Sequence, residues 1–148
     1  MPIAIYKAAK KTVADEVHTL LKHVHKQDDC WPIGEVGVGV VSHLDAWTLG
    51  NYAELVAVGD ITEVFDIHHI NIEGISEDGT YILELYAETT FIGRRRFTST
   101  SFANVVWWPE VSFMCPQLAA NSQVQAKVMS SNAASADTIT ISVQYHTY

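Results

Sequence analysis

Polar and apolar residues alternate cleanly in two stretches near the end of the chain. Ser122-Gln123-Val124-Gln125-Ala126-Lys127-Val128 and Thr138-Ile139-Thr140-Ile141-Ser142-Val143-Gln144-Tyr145 both keep a period of two. That is the period of a strand with one face on a core and the other toward water. Residues 130–137, SSNAASAD, separate them with the small polar side chains of an exposed loop. From Asp66 to Thr98 three further runs follow one another: Ile70-Asn71-Ile72-Glu73, Tyr81-Ile82-Leu83-Glu84-Leu85-Tyr86 and Phe91-Ile92-Gly93. Ser76-Glu77-Asp78-Gly79 and Glu88-Thr89-Thr90 link them. Links this short predict antiparallel neighbours, and hence a β-meander.

Weaker strand patterns fall at residues 53–58, 102–106 and 111–115. From Glu35 to Val41 glycine alternates with valine, which suits an extended segment lying close against another backbone. About eight strands with short turns predict a mainly β protein. The expected architecture is an antiparallel two-sheet sandwich, jelly-roll-like in preference to immunoglobulin-like. One amphipathic helix is predicted ahead of it, from Thr12 to about Lys26, with Val13, Val17, Leu20 and Val24 on one stripe. Thr12 is placed to cap its start, and Lys22, His23, His25 and Lys26 suit its negative end. The chain therefore divides into an N-terminal arm and helix, 1–46, and a β-sandwich domain, 47–148.

Composition adds constraints on partners. A chain of 148 residues with 48% hydrophobic residues can bury one core without staples. Its 18% charged residues leave fewer charges than usual for an exposed surface, which favours a subunit covered by neighbours. A net charge of −8 opposes phosphate binding, so no nucleic-acid partner is expected. No apolar run approaches the ~18 residues of a membrane span, and the N-terminus lacks a signal-peptide pattern, so no membrane partner is expected and synthesis is placed in the cytoplasm.

The candidates for chemistry are few. His68-His69 stands in a strand, where successive side chains should point to opposite faces and make a poor chelate. A cupin-like site would want a strand His-x-His, which is missing although Glu73 and His146 could supply other ligands. His23 and His25 lie two apart on the predicted helix and do not share a face. Cys30 and Cys115 have no zinc-ligand spacing and read as two thiols in preference to a disulfide. There is no G-x-S-x-G, and the glycines at 34, 37 and 39 lack the lysine of a phosphate loop. The sequence thus predicts no catalytic residue, no metal, no cofactor and no enzyme. Surface anchors are more visible. Trp31, Trp47, Trp107 and Trp108 stand outside the regular strands, and Arg94, Arg95 and Arg96 offer groups for carboxylates such as Glu84 and Glu88 or for an acidic neighbour.

Five segments together carry a resemblance. They are WTLGNY at 47–52, FDIHHINIEGISEDGTYILELY at 65–86, FIGRRRFT at 91–98, PQLAANSQVQAK at 116–127 and TITISVQYHTY at 138–148. In this order they resemble small structural proteins encoded beside capsid genes in tailed bacteriophages, over about Trp47 to Tyr148. The resemblance implies a virion protein on the capsid surface, a decoration or cement subunit that bridges the major capsid protein lattice as a homo-oligomer, dimer or trimer. A head-fibre or tail-associated module that recognises host carbohydrate through the loop tryptophans is the alternative, and a cupin-type enzyme the third reading.

Overall fold

The computed structural model describes residues 29–34, 36–100 and 110–148. The predicted helix at 12–26, the strand at 102–106, Trp107 and Trp108 lie outside them. Among the described residues nine strands follow in chain order: β1 (Asp29–Trp31), β2 (Val38–Val41), β3 (Ala53–Val56), β4 (Phe65–Ile75), β5 (Gly79–Ala87), β6 (Thr90–Ser99), β7 (Glu110–Ser112), β8 (Val124–Ser130) and β9 (Thr138–Thr147). They form two antiparallel sheets. In sheet A, β9 lies between β4 and a split edge, with β1 and β2 pairing successive stretches of β9, and β7 flanks β4. Sheet B runs β3-β8-β5-β6. Residues 29–34 and 36–46, read from the sequence as part of an arm, therefore supply two strands to sheet A.

Period-two patterning decides which side chains go inside. On β8, Val124, Ala126 and Val128 are fully buried, and on β9 Ile139, Ile141, Val143 and Tyr145 turn the same way. With Phe65, Ile67, Ile70 and Ile72 of β4 and Tyr81, Leu83 and Leu85 of β5 they make one core shared by both sheets. The arrangement is sandwich-like. The glycine–valine segment behaves as its composition predicts: a Cβ on Gly37 would stand 2.4 Å from the Ile141 carbonyl oxygen, so only glycine lets the two backbones approach.

The predicted meander is corrected at its first link. β5 and β6 do form a hairpin through Glu88 and Thr89, with Glu88 in the left-handed region at φ 53°. β4 and β5, however, lie in different sheets, so residues 76–78 cross between layers instead of closing a hairpin. The ends of this crossing bond to the β8–β9 connection. Ser76 N–H donates to the Thr138 carbonyl at 2.9 Å, Thr138 N–H to Ser76 Oγ at 2.8 Å, and Ser131 N–H to the Thr80 carbonyl at 2.8 Å. The β8–β9 loop is not wholly exposed either. Asp137 is completely buried, its carboxylate accepting from Ser130 Oγ and from Asn132 Nδ2 at 2.8 Å, and its N–H donating to Ser42 Oγ at 2.9 Å.

Candidate functional site

Two surfaces concentrate polar and aromatic side chains, one on the outer face of each sheet. On sheet B, register sets out the rows. Glu84 of β5 faces Lys127 of β8 on one side and Arg94 of β6 on the other, while Ile82 faces Met129 and Arg96. Glu84 is buried although it points outward. Arg94 covers it, with Nε donating to Oε1 at 2.7 Å and Nη2 on the same oxygen, and the Tyr86 hydroxyl donates to Oε2. Above this carboxylate runs a connected layer of rings and cations. Lys127 Nζ stands 4.4 Å over Tyr52, Tyr52 meets Tyr86 edge-on at 5.1 Å, Tyr86 meets Phe91 at 5.9 Å, and Arg94 lies 5.8 Å over Phe91. Arg96 lies 5.5 Å over Trp47. Trp47 itself takes φ 60°, unfavourable for a bulky residue, and is held there by its N–H on the Ser130 carbonyl at 2.8 Å.

The predicted anchors thus separate. Trp47, Arg94 and Arg96 join one face, with Trp47 46%, Tyr52 45% and Phe91 51% exposed. Trp31 does not belong to it, being partly buried and packed against the core from β1. Arg95 points the other way. Its Nε donates to the Ser112 carbonyl at 2.8 Å and its guanidinium lies 5.9 Å over Phe113, so it clasps the edge of sheet B to the edge of sheet A. Tyr52, Phe91 and Lys127 escaped notice in the sequence because Tyr52 just precedes β3, Phe91 lies near the start of β6, and Lys127 looked like an ordinary solvent-face lysine.

On sheet A a β-bulge overturns the premise that His68 and His69 diverge. Ile67 pairs with Tyr145 and His69 with Gln144, so His68 is an extra residue. Ile67 and Ile70 are both buried while His68 and His69 are both partly exposed, which puts the two imidazoles on the outer side together. They still do not chelate as a pair, since His69 Nδ1 faces Glu110 Oε1 at 3.1 Å. His68 instead meets Asp66, two residues back on the same face, and His146, which lies directly opposite Asp66 on β9. His68 Nε2 is 2.7 Å from Asp66 Oδ1 and 3.2 Å from His146 Nδ1, and His146 Nδ1 is 3.8 Å from Asp66 Oδ1. Asp66 Oδ1 is buried and, despite these neighbours, accepts no well-directed hydrogen bond from the described residues.

Two further groups border this triad. The Tyr148 hydroxyl donates to Asp66 Oδ2 at 2.5 Å; that bond, then burial and the Asp66 charge, push its pKa up to about 12. Cys115 accepts from Ile67 N–H at 3.0 Å, and its pKa is pushed up chiefly by burial. Cys115 and Cys30 are free thiols, with β4 and β9 between them. The sequence signal for the triad was the Asp-x-His spacing at 66 and 68; the third member needed the β4–β9 register.

No protein-family model matches the chain, and no curated protein does. Among solved structures it is similar to dimeric latent PorU from Porphyromonas gingivalis, at a TM-score of 0.36 and 12% identity. That likeness covers 84% of this chain and 13% of the other. The phage resemblance draws no support from these comparisons.

Proposed function

We propose that the chain is a non-enzymatic structural subunit that docks through the outer face of sheet B onto a protein lattice, as a capsid decoration or cement protein does. The observation that carries this reading is the layer formed by Trp47, Tyr52, Phe91, Arg94, Arg96 and Lys127. Half-exposed aromatic rings and arginines are the residue types that anchor protein interfaces. Here they are already packed on one another, which lowers the entropy cost of ordering them on binding. Beyond the Arg94–Glu84 pair, Arg96 and Lys127 stand on this face of a chain with net charge −8, and they suit acidic groups on a partner surface.

The strand order supports the same reading. Taking β1 and β2 as one split edge, the sheets run β2-β9-β4-β7 and β3-β8-β5-β6. This order supports a jelly roll, an architecture used in viral capsid domains and also in lectins and cupins. Homo-oligomers, dimers or trimers, then repeat weak contacts across a major capsid protein shell, and their strength accumulates through multivalency.

Cosedimentation of the full chain with assembled capsid shells tests this. Binding is expected, and Trp47→Ala or Arg96→Ala should weaken it by about 10-fold or more each, the scale of an interface hot spot. A chain that ignores capsids overturns the docking reading, and binding untouched by both variants removes this face from it. A second reading has its own observation: Tyr52 lines an open cleft together with Ser42, His43, Leu44 and Asn51, which suits a carbohydrate-binding head-fibre or tail module. Glycan binding lost in Tyr52→Ala, without capsid binding, is the outcome that would favour it.

A further inference from the structure

We infer that Asp66, His68 and His146 form a binding site for a divalent transition-metal ion of the zinc class. The inference is independent of the docking face, because the triad lies on the outer side of sheet A. Its three donor atoms, Asp66 Oδ1, His68 Nε2 and His146 Nδ1, are separated by 2.7, 3.2 and 3.8 Å. Ligands bound at roughly 2.0–2.1 Å in tetrahedral geometry stand ~3.3 Å apart, so these separations bracket those of a zinc site. Two imidazoles and one carboxylate are also the donor set that borderline divalent metals take, with the remaining position open to water or another donor.

Hydrogen bonding alone satisfies Asp66 Oδ1 poorly. The Nε2 of His68 carries at most one proton yet stands 2.7 Å from Asp66 Oδ1 and 3.2 Å from His146 Nδ1, and Asp66 Oδ1 is buried without a well-directed hydrogen bond among the described residues. A cation between the three atoms would use all of their lone pairs together. The surroundings are those of a supported site. Tyr148 donates to the other carboxylate oxygen and fixes the carboxylate plane, as second-shell partners do. The bulge after Ile67 aims His68 at the group, and bulges commonly re-aim side chains next to sites. His146 is buried while His68 is 37% exposed on its side chain, which leaves an entry path on the His68 side.

Titration of the untagged full chain with zinc, and with cobalt(II) as a spectroscopic substitute, tests the site. The wild type is expected to take up one equivalent that the His68→Ala and Asp66→Asn variants lose, and to show the strong visible bands of four-coordinate cobalt. Tyr148→Phe should weaken this equivalent by about 10- to 100-fold, the usual cost of losing an outer-shell partner, and the ligand variants should weaken it more. His69→Ala should leave it unchanged. Zinc should also raise the melting temperature of the wild type and not that of Asp66→Asn, a near-isosteric change chosen to keep the fold. Equal metal uptake by wild type, His68→Ala and Asp66→Asn overturns the inference, because any ion then sits on other residues such as His18, His23 or His25. An equal loss in His69→Ala and His68→Ala overturns it as well.

Discussion

Arg94 and Glu84 show how a single surface charge can hold a buried one. The Glu84 side chain is 3% exposed and Arg94 57%, so truncating the arginine takes the cation from a buried carboxylate that keeps the Tyr86 hydroxyl. Arg94→Ala should destabilise the fold by about 1–3 kcal/mol, the scale for leaving a buried polar group under-partnered. The double variant with Glu84→Leu should lose less than the two single changes summed; additive losses in urea unfolding would contradict the coupling. The tyrosines give a pH test. Tyr81 and Tyr86 are both pushed up to about 12 from 10.0, first by burial, then by the Asp137 charge for Tyr81 and by the hydrogen bond to Glu84 for Tyr86. Because the folded values lie above the unfolded ones, their contribution is whole below pH 10 and is lost as pH rises toward 12. Unfolding midpoints should therefore fall across that window, and fall less steeply in Tyr86→Phe. An identical decline in that variant would rule Tyr86 out as a source. A pairing of Arg94 with Glu84 was among the options legible in the sequence, since both sit on strands joined by a short turn; the burial of Glu84 was not, because it depends on the β5–β6 register that lays Arg94 and Tyr86 on its two oxygens.

At the level of elements, the edges of the two sheets are joined by one insertion. The Phe113 ring fills the space left by the missing side chain of Gly93, where a Cβ would meet Phe113 Cζ at 2.6 Å, and Arg95 lies over the same ring. Gly93→Ala should cost about 1–3 kcal/mol by overpacking, and Phe113→Leu in the same chain should recover part of it. Denaturant unfolding of the three variants checks this; a Gly93→Ala protein as stable as wild type would show that the ring simply moves aside. The strands themselves were largely legible, because β8 and β9 alternate strictly and β5 has an alternating buried set. Their partners were not. The turn at 76–79 has hairpin chemistry, yet β4 pairs with β9 and β7, and β5 with β6 and β8. The bulge in β4 was equally hidden, since an extra residue changes which face follows without changing composition.

For the molecule as a whole, the two outer faces make separate demands. A docking subunit that works by repetition should self-associate, so sedimentation analysis of the purified chain is expected to show a dimer or trimer; a strict monomer across the micromolar range would weaken the lattice reading. Saturating the triad with zinc should leave capsid binding unchanged, and Trp47→Ala should leave metal binding unchanged, because the sites sit on opposite sheets. Cross-effects in either experiment would mean that the sheets are coupled through the shared core.

Local patterning was enough to establish a mainly β, antiparallel chain with two layers, because a period of two is a property of neighbouring residues and needs no knowledge of what they pack against. Residue type alone could mark Trp47, Arg94 and Arg96 as candidates, but it marked Trp31 and Arg95 equally. The direction of Arg95, the place of Trp31 against the core and the meeting of Asp66 and His68 with His146 across 78 residues depended on strand register and on one bulge. These are set by long-range pairing and by the closing of one core between two sheets, and no window of the sequence contains them.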